Sequence, residues 1–174
     1  LQRCAKHTGL ELPPVSIIGP HEIANMRASG ADNPPHSIIV DLQAISAADL
    51  KVAQVSSQCG QASFAYIQAA IDAALAGHID AVTTCPINKE ALRAGGINYP
   101  GHTEMFAERA AAARWCMMQY STEITCSFVT VHCGYAEVPA LLTRRAVLDV
   151  IELTAEALSK IRGVQPKLVV CGLN

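Results

Sequence analysis

Charge is scarce in this chain. Asp, Glu, Lys and Arg together make up 16 % of its 174 residues, and the formal net charge is −2. A balance so close to neutral leaves no electrostatic footprint for nucleic acid or for an anionic membrane surface, so neither is expected as a partner. Small anionic ligands remain open, held by a few local groups. No apolar run approaches the length of a membrane span, and Leu1-Gln2-Arg3-Cys4 does not open a signal peptide. There is no GxGxxG loop and no P-loop, hence no sign of those nucleotide cradles. HExxH, paired histidines and cysteine clusters are also missing, so a complete metal site is not spelled out locally. The seven cysteines form no CxxC pair, and their odd number argues against a secreted disulfide framework. A reducing cytoplasm is the expected location. Free cysteines in apolar company are expected to be buried as small hydrophobes. Cys85 and Cys133 have neighbours that put them nearer a ligand, although no base is placed to make either a nucleophile.

The chain is rich in apolar residues, at 51 %, enough for a substantial core in one domain. Val15-Ser16-Ile17-Ile18-Gly19 and Ser37-Ile38-Ile39-Val40-Asp41 are β-branched runs that predict strands over 15–19 and 37–41. Between Gly60 and Gly77, the residues Phe64, Ile67, Ile71 and Leu75 recur with helical spacing, and Gly77 supplies a stop. Residues 81–84 predict a buried strand, and 88–92 a short helix that Gly95-Gly96 ends. Thr103 is expected as the N-cap of a helix over 104–114. Residues 117–120 and 126–131 predict strands around a polar turn at Ser121-Thr122-Glu123. Val147, Leu148, Ile151, Leu153, Leu158 and Ile161 predict an amphipathic helix closed by Gly163, and 168–171 a last strand. Alternating helices and strands imply an α/β fold with a largely parallel sheet covered on both faces. No repeat, linker or low-complexity tract divides residues 1–174, which are expected to form a single α/β unit. The chain opens without Met in what reads as mid-helix and closes on a strand entering a loop, so further residues are expected on both sides.

Three polar segments sit at the ends of these elements, where side chains face ligands more often than core. In Asn98-Tyr99-Pro100-Gly101-His102-Thr103-Glu104, His102 follows a Pro-Gly turn and precedes a helix start. Unpaired N–H groups and the helix dipole there suit a phosphate, a carboxylate or a substrate hydroxyl. Plain capping by Thr103 explains the same residues equally well. His132 closes the apolar run Phe128-Val129-Thr130-Val131 and reads either as a metal ligand at the carboxyl end of a strand or as a structural histidine. Lys89, after Thr83-Thr84-Cys85-Pro86-Ile87-Asn88, reads as an anion contact or as a solvated helix face.

Taken together, these segments resemble the 4-hydroxythreonine-4-phosphate dehydrogenase (PdxA) family. The residues that carry the resemblance run from Gly77 to Leu92, from Asn98 to Glu104, through Phe128-Val129-Thr130-Val131-His132, and through Val169-Val170-Cys171-Gly172-Leu173-Asn174. The resemblance implies part of a three-layer α/β/α subunit of the isocitrate and isopropylmalate dehydrogenase type, belonging to a longer two-domain subunit and working as a homodimer. It implies NAD and a divalent metal (Zn, Mg or Co) as cofactors. His102 and Thr103 are implied as substrate-binding and His132 as a metal ligand, with Lys89 a further candidate for the substrate. The family's GDPAGIGPE-like opening loop is absent, and its other metal histidines would follow Asn174. The implied reaction oxidises the secondary alcohol of 4-hydroxythreonine 4-phosphate, or a related phosphorylated hydroxy acid such as a threonate, passing hydride to NAD before the β-keto acid decarboxylates. That places it in pyridoxal 5'-phosphate biosynthesis. With one metal ligand and part of one substrate site, this stretch alone is expected not to turn over substrate. The competing expectation is a non-catalytic ligand-binding or dimerisation fragment of the same fold.

Overall fold

A computed structural model describes residues 2–28 and 37–172, which fall into two compact units, residues 1–101 and 102–174. In the first unit, helix α1 (Gln2–Thr8) leads into strand β1 (Val15–Ile18), a single 3-10 turn, helix α2 (Ile23–Ala28) and strand β2 (Ser37–Val40). β1 and β2 pair in parallel, Val15 opposite Ser37 and Ile18 opposite Val40. Their β-branched side chains suit a pleated surface, and both strands lie where the sequence predicts them.

Helix α3 (Ser57–Leu75) starts three residues before the predicted Gly60, because the Ser56 hydroxyl accepts a hydrogen bond from the Cys59 N–H. Gly60, Ala62, Ile67, Ile71 and Ala73 are its buried residues. The last turn runs out into solvent, leaving Leu75, expected in the core, 59 % exposed. Helix α4 (Lys89–Ala94) is capped by Asn88, whose side-chain oxygen accepts from the Ala91 N–H at 2.8 Å. α4 lies so close to α3 that a Cβ at position 60 would overlap the Ala91 carbonyl and come within 2.8 Å of the Leu92 nitrogen. Only glycine fits there. Leu92, 1 % exposed, is the largest fully buried side chain among the described residues. Gln61 Nε2 donates to the Gly95 carbonyl at 3.4 Å, and Phe64 stacks on Tyr99 with ring centroids 5.8 Å apart, tying the 95–99 segment to α3.

The second unit contains helix α5 (His102–Arg109), strands β3 (Met117–Gln119) and β4 (Cys126–Phe128), the short helix α6 (Val138–Leu141) and helix α7 (Arg144–Arg162). β3 and β4 pair antiparallel, Met117 opposite Phe128, around the predicted polar turn. Ser121 organises that turn: its hydroxyl donates to the Ile124 carbonyl at 2.9 Å and its own N–H bonds the same oxygen at 3.2 Å. α7 is capped by Thr143 and stopped by Gly163 at φ +69, as its sequence predicts. Thr154 and Leu158 are buried in it, whereas Leu148 and Ile161, expected on the apolar face, are exposed. Arg114 reaches α7 and binds both Asp149 (3.1 Å) and Glu152.

Several expectations do not hold. Residues 81–84 and 168–171 form no strand and are mostly exposed, Val169 by 88 %. A strand requires a hydrogen-bonded neighbour, which β-branched composition cannot supply by itself, and no described residue pairs with either segment. The described strands make two separate pairs, one parallel and one antiparallel, rather than one largely parallel sheet. No cysteine is fully buried: Cys4, Cys85, Cys126 and Cys171 are exposed, and Cys59, Cys116 and Cys133 lie half-buried. Apolar sequence neighbours did not translate into burial: only Cys4, Cys59 and Cys126 lie in a helix or strand, and the other four stand in connecting segments, which run over the surface. Among the described residues, no helix is long and apolar enough to cross a membrane.

Candidate functional site

His102 opens α5, and Thr103 lies inside its first turn rather than capping it. The helix therefore begins two residues before the predicted start at 104. It also ends early, at Arg109, in a Schellman arrangement: the Ala112 N–H bonds the Ala107 carbonyl at 2.9 Å and the Ala111 N–H bonds that of Glu108 at 3.0 Å. Ala111 takes the left-handed conformation, φ +48, that glycine usually fills. Without a glycine, this stop is invisible in the sequence.

The first turn of α5 leaves backbone N–H groups without partners inside the helix. His102 Nε2 is buried and has no hydrogen-bond partner among the described residues. Two further buried oxygens share that condition, Glu104 Oε2 and Ser127 Oγ, and sequence reasoning singled out neither. Glu104 was visible as the fourth letter of the Gly-His-Thr-Glu run; Ser127, inside an apolar strand, carried no signal. Buried polar groups are nearly always bonded, and one left alone costs about 1–3 kcal/mol. A bound polar ligand is one way to remove that cost.

His132 does not end its strand. β4 stops at Phe128, so His132 stands in the following loop, exposed, at φ +56. The antiparallel pairing with β3 covers only three residues of β4, which is why the apolar run continues beyond the ladder. Two residues on, the Gly134 N–H donates to Glu137 Oε2 at 2.6 Å, closing a 3-10 turn (Tyr135–Glu137) that leads into α6. His132 makes no hydrogen bond with a described residue. Its imidazole fits one coordination position of a divalent ion, but among the described residues no three His, Cys, Asp or Glu side chains converge to complete a set.

Lys89 is the first residue of α4, exposed and without an ion pair among the described residues. A cation at a helix N-terminus works against the dipole by a few tenths of a kcal/mol, where Glu90 beside it works with the dipole. An anion bound at Lys89 would offset that penalty. Lys89 belongs to the first unit, whereas His102, Thr103 and His132 belong to the second. Within the second unit, His102 and Thr103 share a helical turn and His132 occupies a separate loop.

The family model described as pyridoxal phosphate biosynthetic protein PdxA matches residues 6–174. A relative from Symbiobacterium thermophilum, provisionally named a D-threonate 4-phosphate dehydrogenase, is 42 % identical over 136 residues, 78 % of this chain and 41 % of its own length. A 4-hydroxythreonine-4-phosphate dehydrogenase from Desulfosudis oleivorans is 43 % identical over 118 residues, 67 % of this chain and 35 % of its own. Among solved structures, a 4-hydroxythreonine-4-phosphate dehydrogenase from Burkholderia phymatum is similar across 100 % of this chain and 50 % of its own, with a TM-score of 0.75 and 34 % identity. The corresponding enzyme from Klebsiella pneumoniae gives a TM-score of 0.76 and 25 % identity, over 92 % of this chain and 48 % of its own. The chain thus spans half or less of the length of these relatives.

Proposed function

The chain belongs to the PdxA family, and from that premise we propose that it forms part of a dehydrogenase for a phosphorylated hydroxy acid. The observation that carries this reading is the family match over residues 6–174, which takes in every candidate site residue. 4-Hydroxythreonine 4-phosphate and D-threonate 4-phosphate are the substrates to consider, since relatives are named for each. The finer reading includes a three-layer α/β/α subunit, a homodimer and a cytoplasmic location. NAD would accept the hydride, and a divalent ion would polarise the alcohol and steady the enolate as carbon dioxide leaves.

The chain's own residues have narrower roles. His102, with its buried Nε2 unpartnered, would bond a polar group of the substrate, and the Thr103 hydroxyl beside it would bond a second. Lys89 would face the substrate's negative charge. His132 would hold the divalent ion through one imidazole nitrogen, with the remaining ligands supplied from elsewhere in the protein.

The direct experiment follows NADH absorbance in the full-length gene product, with each phosphorylated acid, with and without a chelator. Turnover with one of them, abolished by the chelator, is expected. No signal above blank with either acid would overturn the reading in favour of a non-catalytic binding or dimerisation role. His102→Ala should raise KM or lower kcat/KM by roughly tenfold to a hundredfold, the scale of about 1.4–2.7 kcal/mol for a hydrogen bond to a charged substrate.

A further inference from the structure

We draw no further inference here: the strongest candidate, the side chains of His102 and Glu104 in the first turn of α5, whose buried Nε2 and Oε2 have no hydrogen-bond partner among the described residues, belongs to the site already described.

Discussion

At the scale of single residues, the stop of each helix decides how much the sequence revealed. α3 and α4 end like α5, with the N–H two residues beyond the cap reaching back into the last turn: His78 to Ala73 at 2.8 Å and Ile97 to Leu92 at 2.9 Å. In those two helices the left-handed residue is a glycine, Gly77 or Gly96, so both ends were legible. In α5 it is Ala111, and the predicted helix overran by five residues, to 114 instead of 109. The same difference makes a prediction. Ala111→Gly should stabilise the protein by about 1 kcal/mol, because the glycine relieves the left-handed strain; a lower melting temperature would contradict the assignment of that cap. Gly60→Ala should do the reverse. Its methyl would overlap the Ala91 carbonyl, which is backbone and cannot swing aside, so a loss of about 3 kcal/mol or more is expected in chemical denaturation. Of the candidate site residues, His102, Thr103, Lys89 and His132 could be nominated from sequence motifs. The partnerless state of His102 Nε2 among the described residues could not, since it depends on burial.

At the scale of elements, the long helices and the four observed strands were legible, and two further predicted strands did not form. α3 and α7 carry helical periodicity over many turns with a Ser or Thr cap in front. Residues 81–84 and 168–171 offered only composition, and pairing, on which a strand depends, is a property of another segment. α7 also shows how a surface element is held. Arg114 bridges Asp149 and Glu152, Arg145 bonds Asp149 at 2.9 Å, and Lys160 bonds Glu156 at 2.7 Å. Partial burial pushes the Asp149 carboxyl up, but hydrogen bonds and charge from Arg114 and Arg145 outweigh it and hold it below the usual range. The Lys160 hydrogen bond holds Glu156 down in the same way. A depressed folded value means stability that is complete above the unfolded carboxylate range, about 3.9–4.3, and is lost as pH falls through the folded value. Stability should therefore decline on acidification below about pH 4. Arg114→Ala should flatten that acid limb, and high salt should mimic it, as for exposed ion pairs; an unchanged acid limb in the variant would count against the network.

At the scale of the whole molecule, the chain carries more exposed apolar surface than a self-contained domain of its size needs. Ile17 on β1, Ile124 in the β3–β4 turn and Val164 and Val169 near the C-terminus are each more than three-fifths exposed. The described strands make only two-stranded pairs, so every strand is an edge. The 174-residue chain should therefore bind a hydrophobic dye or self-associate with rising concentration, and a dye-silent monomer in sedimentation would refute this. Family membership was legible because its motifs depend on residue identity and spacing; the arrangement of the sheet was not, because it depends on contacts between distant segments. The closeness of α3 and α4 has a further consequence, in time rather than in space. Helix α3 forms from contacts along its own length and, with Gly60 against Ala91 and Leu92 buried, offers α4 a surface to dock on, whereas neither β1 nor β2 has any structure until the two pair. The helical pair should nucleate folding, so that Leu92→Ala slows refolding while Ile17→Ala chiefly speeds unfolding. Lys89, riding on α4, would then reach its place before the sheet is assembled.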